Sequence, residues 1–141
     1  MDKFNSEGYA DLTAYEALMK IEQEERAARK AANFRPLVYI CSPYSGNTEF
    51  NANNARIYSR FAVAKGAIPL APHLLFPQFM SEEHERGLAL FMGSVLLGKC
   101  KEVWVFGDTM SEGMKIETAK AKKMGKVIRY FNEELEEIQC S

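Results

Sequence analysis

Glu117 is the side chain whose setting invites chemistry. The chain runs Val103-Trp104-Val105-Phe106, four apolar residues flanked by charge, then Gly107-Asp108-Thr109-Met110-Ser111, and then a helical pattern from about Gly113. Glu117 falls four residues beyond Gly113, about one helical turn on. A carboxylate placed there is carried by a rigid element close to a Gly/Ser loop. A strand that ends in such a loop and opens a helix is a common way for an α/β sheet to hold an anionic or sugar-like ligand. The ordinary alternative is a solvated helix glutamate paired at i,i+3 with Lys120.

Two further loops carry residues of interest. Ser42-Pro43-Tyr44-Ser45-Gly46-Asn47 follows the apolar run 37–41. It lacks the glycine fingerprint of a dinucleotide fold and the lysine of a phosphate-binding P-loop, which argues against NAD binding and ATP hydrolysis. Backbone N–H groups here and near Thr48 still suit a phosphate, and a purely structural turn is the alternative. His73 follows Pro72 at the end of a second apolar run and faces the same rim as loop 42–47, where a lone histidine is more often a structural hydrogen-bonding group than a catalyst. His84, in an acidic stretch, reads as solvated. The three cysteines, Cys41, Cys100 and Cys140, form neither a metal-ligand spacing nor an even disulfide set. Cys41 and Cys100 sit in apolar contexts and read as buried thiols. No metal and no cofactor is expected.

The elements that must position these residues alternate along the chain. Residues 1–11 read as a lead-in. Thr13 and Glu16 have the capping-box spacing, which predicts a helix from Thr13 to about Ala32 whose second half is largely solvated. Residues 37–41 are apolar on both faces and predict a central strand. A helix over about 49–65 follows, with Thr48 as its cap and Gly66 as its stop. Residues 67–71 predict a short strand, and Pro69, which cannot donate to a ladder, makes it an edge strand or an irregular one. An apolar connection over 72–80 leads to a helix from Ser81 to about Lys99, in which Gly87, Gly93 and Gly98 would let another backbone approach. Strand 103–106, a helix from Gly113 to Met124, strand 126–131 and a short acidic helix over 132–138 complete the chain. Such alternation implies parallel pairing. The expected fold is a three-layer α/β arrangement of Rossmann or flavodoxin-like type, with a parallel sheet of about four to five strands and an extra N-terminal helix. Residues 1–35 form the lead-in and helix, and residues 36–141 the α/β domain. Ligands of such sheets bind beyond the carboxyl ends of the strands. That rule gathers loops 42–47, 72–80 and 107–113 at one rim.

Composition narrows the function classes. At 141 residues the chain is long enough for one domain with a real core. A net charge of −1 gives no reason to expect polymeric nucleic acid or an anionic membrane surface as a partner. No apolar run approaches the length of a membrane span. Residues 1–7 carry no apolar signal core, so a cytoplasmic setting is expected. The apolar stretch Leu74-Leu75-Phe76 reads as a pocket wall or a subunit contact, which makes a homo-oligomer an expectation.

The run Leu37-Val38-Tyr39-Ile40-Cys41-Ser42-Pro43-Tyr44-Ser45-Gly46 resembles the first strand and loop of the nucleoside 2-deoxyribosyltransferase-like superfamily, which includes the 2′-deoxynucleoside 5′-phosphate N-hydrolases. The later pattern is also similar: an apolar strand, Ser111 and Gly113, Glu117 four residues after that glycine, and an Ala-containing helix ending Gly125-Lys126-Val127. The similarity covers about residues 36–130 and fits a branch with a Pro-His-Leu loop and a Glu-Val-Trp-Val-Phe-Gly strand. It implies a small-molecule nucleoside or nucleotide as partner, with Glu117 as the nucleophile that forms a glycosyl ester and Tyr39 placing the sugar and carboxylate. It further implies that Ser42, Tyr44, Ser45 and Gly46 line the sugar or phosphate pocket, with His73 at the same rim, and that Ser111 and Gly113 hold the 5′ end. The superfamily also places an Asp in the helix before the Trp strand, to protonate or bind the leaving base. Residues 86–94 hold no carboxylate, and Glu85 and Asp108 are the available substitutes. Three readings are open: an N-glycosidic hydrolase or transferase, a non-catalytic nucleotide-binding module of the same fold, or a small structural or interaction protein with the N-terminal helix and the apolar 74–80 stretch as contact surfaces.

Overall fold

The computed structural model describes residues 12–139. The first helix, α1 (Leu12–Asn33), lies in a unit that ends at Phe34; everything from Arg35 onward belongs to a second unit. Thr13 is already helical, so it does not serve as the expected N-cap. The expected lead-in over residues 1–11 lies outside the described residues, as does Cys140.

The second unit is built on a five-stranded sheet. In chain order its elements are β1 (Leu37–Cys41), α2 (Thr48–Ala64), β2 (Ile68–Leu70), the short helix α3 (Pro72–Leu75) with a 3-10 turn over Phe76–Gln78, α4 (Arg86–Lys99), β3 (Glu102–Phe106), α5 (Glu112–Lys123), β4 (Val127–Phe131) and β5 (Glu137–Ile138). The strand order is β2-β1-β3-β4-β5. The first four strands pair in parallel, and β5 joins β4 antiparallel. The α/β class read from the sequence therefore stands, and β2, the strand with Pro69, is an edge.

Strand alternation divides the core into two layers. Val38 and Ile40 of β1 point to one face, with Trp104, Phe106 and Phe131, and pack against Tyr58 and Ala62 of α2. Phe106 stacks between Tyr58 at 4.4 Å and Phe131 at 5.1 Å, centroid to centroid. Tyr39 and Cys41 point to the opposite face, with Val103 and Val105, and meet Leu97 of α4 and Met114 and Ala121 of α5. The fold is thus α2, sheet, and α4 with α5. The winding reverses at β1: one connection leads outward to β2, and the next returns past β1 to β3. A crevice opens at such a switch point, beyond the carboxyl ends of β1 and β3.

Four local expectations are corrected. Asn47, not Thr48, caps α2, its Oδ1 accepting from the Phe50 N–H at 3.1 Å. The apolar connection over 72–80 is not an open loop but α3 and its 3-10 turn, begun by Pro72 at the first helical positions, where its missing N–H costs nothing. The helix expected from Ser81 begins only at Arg86. Ser81 and Glu85 close a separate turn, with Ser81 N–H donating to Glu85 Oε1 at 2.9 Å, and Glu85 then leaves helical geometry at φ −122°. The acidic helix expected over 132–138 is a turn and a strand. Asn132 Oδ1 accepts from the N–H groups of Glu134 and Glu136, an alternative to helical bonding. Glu137 then accepts two hydrogen bonds from Arg129, at 2.9 and 2.7 Å.

Candidate active site

Tyr39 and Glu117 meet because two periodicities coincide. Tyr39 and Cys41 are two apart on β1, so both face α5. On α5, Met114, Thr118 and Ala121 form the buried stripe, and Glu117 borders it. The Tyr39 hydroxyl donates to Glu117 Oε2, and the Cys41 thiol lies 3.9 Å from Glu117 Oε1. One carboxylate therefore receives a donor on each oxygen. Cys41 is fully buried and has a second acceptor, the Met114 carbonyl, at 4.0 Å. Gly93 of α4 is buried above this pair; a Cβ there would lie 3.6 Å from the Tyr39 hydroxyl oxygen.

The carboxylate opens onto a cavity of about 300 Å³ at the switch point. From the end of β1 it is lined by Tyr39, Ser42, Tyr44 and Ser45; from α3, by His73; from α5, by Ser111, Gly113 and Glu117. Eight of the residues singled out in the sequence thus share one cavity. Gly46 and Asp108 do not line it. Gly46, at φ +95°, is exposed, and so is Asp108, which follows Gly107 at φ +104°. Glu85, the other carboxylate considered for the leaving base, is also absent from the lining.

Electrostatics at the site follow burial. Burial pushes the Glu117 carboxyl above its ordinary range, while hydrogen bonds from Tyr39 and Cys41 and the charge of Lys120 oppose that rise. The Tyr39 phenol and the Cys41 thiol are pushed up by burial and then by the Glu117 charge, so both remain protonated donors. His73 is lowered to about 4 by burial and is neutral at pH 7. Its ring lies 4.9 Å from that of Tyr44 at 39°. Ser111 caps α5, its hydroxyl oxygen accepting from the Met114 N–H at 3.3 Å. Ser42 differs: it is 2 % exposed and lines the cavity, yet its hydroxyl has no hydrogen-bond partner among the described residues.

The sequence reading did not single out Glu82, Arg86, Ser94 and Glu112, which also line the cavity, and it offered Lys120 only as a possible surface partner of Glu117. Arg86 and Glu82 form an ion pair at 3.1 Å. Lys120 instead donates to Ser94 Oγ on α4, at 2.6 Å. The i,i+4 spacing of Glu82 and Arg86 was a readable signal; nothing in the sequence marks Ser94. Among the described residues no group of three or more His, Cys, Asp and Glu side chains is placed to hold a metal, and no helix is long and apolar enough to cross a membrane.

The arrangement offers a half-buried carboxylate, fixed on both oxygens, at the floor of a cavity walled by hydroxyls and aromatic rings. It is suited to nucleophilic attack on an electrophilic carbon. No curated protein sequence matches the chain. Among solved structures, it is similar to the 2-deoxyribosyltransferase of the psychrotolerant bacterium Bacillus psychrosaccharolyticus, with a TM-score of 0.55 and 18% identity, covering 73% of this chain and 77% of that one. The likeness is one of fold: the sheet and its helices have a nucleoside deoxyribosyltransferase-like, Rossmann-type arrangement. Residues 36–131, from the start of β1 to the end of β4, match the family described as Domain of unknown function (DUF7768), and over that span the chain belongs to it.

Proposed function

We propose that the protein cleaves or transfers the N-glycosidic bond of a (deoxy)nucleoside or nucleotide, with Glu117 as nucleophile. The observation that carries this reading is the Tyr39 hydroxyl held on a half-buried Glu117 carboxylate inside the switch-point cavity. A Glu117 oxygen attacks C1′ as the C1′–N bond breaks, and the base departs with the bonding pair and takes up a proton from solvent. The glycosyl ester then passes to water or to a second base. Tyr39 and Cys41 hold the carboxylate; Ser42, Tyr44, Ser45, His73, Ser111 and Gly113 border the space the substrate would fill. The activity is assigned to residues 36–141.

A chromatographic screen for free base across nucleosides and nucleotides tests this reading, with Glu117→Gln alongside the wild type. Base release that persists in the variant excludes the nucleophile assignment.

A second reading, a nucleotide-binding module without turnover, is favoured by one observation. The carboxylates bordering the cavity besides Glu117 are Glu82 and Glu112, and each is ion-paired, with Arg86 at 3.1 Å and with Lys115 at 3.4 Å. Neither stands free of a basic neighbour at the site of a departing base. That reading expects ligand-induced thermal stabilisation with no free base.

A homo-oligomer is part of the proposal. Leu88, Phe91 and Val95 leave an apolar stripe of α4 exposed, with Phe91 at 66 %. A stripe of that size invites burial against another surface.

A further inference from the structure

We infer that Lys120, held by Ser94, is a positioning residue that fixes a cation one helical turn from the Glu117 carboxylate and adds to the bonds that favour its nucleophilic form. The inference rests on the N-glycosidic reading for its purpose, but its physical content stands apart from turnover. Lys120 lies one helical turn after Glu117 on α5, and both border the cavity. Left to itself, a lysine there would extend into solvent. Ser94 prevents this: its hydroxyl donates to the Leu90 carbonyl at 3.1 Å, which leaves its lone pairs to accept from Lys120 Nζ at 2.6 Å. The ammonium is thereby pinned between α4 and α5.

The other charged groups of the cavity are paired on its rim or uncharged. Arg86 is committed to Glu82, and Glu112 to Lys115. His73 on α3 is neutral at pH 7. Facing Glu117 from β1 are Tyr39 and Cys41, uncharged donors whose hydrogen bonds already favour the ionised carboxylate and to which a charge would add; Tyr44 adds a phenol to the lining. Lys120 is therefore the one cation bordering the cavity, among the described residues, that has no ion pair of its own, and its charge acts on Glu117. A half-buried carboxylate tends to take up a proton; an opposite charge nearby favours the ionised, nucleophilic form.

The test compares wild type, Lys120→Met, Lys120→Arg and Ser94→Ala. The midpoint of the Glu117 carboxyl is followed by NMR in protein labelled with 13C at glutamate side-chain carboxyls, Glu117→Gln identifying the signal. The acidic limb of kcat/KM for base release is measured beside it. Lys120→Met should move both midpoints up by about one pH unit, Ser94→Ala by less, and Lys120→Arg should restore most of the shift. Midpoints unmoved in Lys120→Met and Ser94→Ala would overturn the inference. Should wild type release no base, the N-glycosidic reading fails, and the NMR titration still decides the role of Lys120. If Lys120→Met does not fold, Ser94→Ala, which removes only the tether, carries the test.

Discussion

The Tyr39 hydroxyl donates to the Glu117 carboxylate although 78 positions separate the two residues in the chain. The contact requires β1 and α5 to be packed face to face and Tyr39 to occupy the α5 side of the strand. Burial holds the phenol in its protonated state, so its role is to donate rather than to ionise. Tyr39→Phe deletes that donor with little change in volume. A hydrogen bond to a charged group contributes about 1.5–3 kcal/mol, so turnover should fall about 10- to 100-fold if the bond strengthens at the transition state. Steady-state base release by the variant checks this, and an unchanged kcat would remove Tyr39 from the mechanism.

Glu117→Gln should do two opposite things: abolish base release and raise stability at neutral pH. The folded carboxyl titrates above its ordinary value, mainly through burial. The folded state thus favours the protonated form. Its stabilising contribution is present below the unfolded pKa and is lost as pH rises through the folded pKa. Glutamine, permanently neutral, escapes that loss. The gain in Tm over wild type should be largest at pH 7–8 and shrink toward pH 4. Thermal unfolding of the two proteins across this range is the measurement, and a gain that grows toward acid contradicts the burial argument.

His73 sets a second pH dependence, with the opposite sign. Burial lowers its folded pKa to about 4 from the ordinary 6.5. The neutral ring therefore supports the fold above about pH 6.5, and that support is lost as pH falls toward 4. A shift of this size corresponds to about 3 kcal/mol at most. Replacing His73 by Gln should flatten the decline in Tm between pH 6.5 and 4. A decline of equal slope in both proteins would show that other groups dominate acid unfolding.

Much of this architecture is legible in the sequence because it depends on local pattern. Leu37–Cys41 and Val103–Phe106 are apolar at successive positions and too short for a helix, which is how a strand covered on both faces reads. Glycines at 66 and 125, both at positive φ, mark where α2 and α5 stop. The rule that ligands gather at strand carboxyl ends collects Ser42, His73 and Ser111 before any coordinate is known. What escaped depends on contacts distant in sequence or on local competition. Helix periodicity places Lys120 beside Glu117 but does not reveal the Ser94 tether, which comes from 26 residues earlier. The acidic composition of 132–138 suggests a helix, but Asn132 bonds its neighbours and Arg129 recruits Glu137 into β5. Asp108 is close in sequence to the cavity-lining Ser111, yet it is exposed and outside the lining, which spacing along the chain does not reveal.

Ser42 offers the sharpest separation of stability from binding. Its hydroxyl is buried at the end of β1, borders the cavity and has no hydrogen-bond partner among the described residues. An unsatisfied buried hydroxyl costs about 1–3 kcal/mol. Ser42→Ala removes the cost and keeps the shape, so the unliganded protein should melt a few degrees higher. A substrate that hydrogen-bonds Ser42 loses that bond in the variant. The Tm increment given by the best nucleoside or nucleotide from the base-release screen should therefore be smaller for Ser42→Ala than for wild type. Thermal shifts with and without that compound, on both proteins, separate the two effects. A lower Tm for unliganded Ser42→Ala would mean that the hydroxyl is satisfied within the fold. A higher Tm with an undiminished ligand increment would mean that the substrate does not reach Ser42.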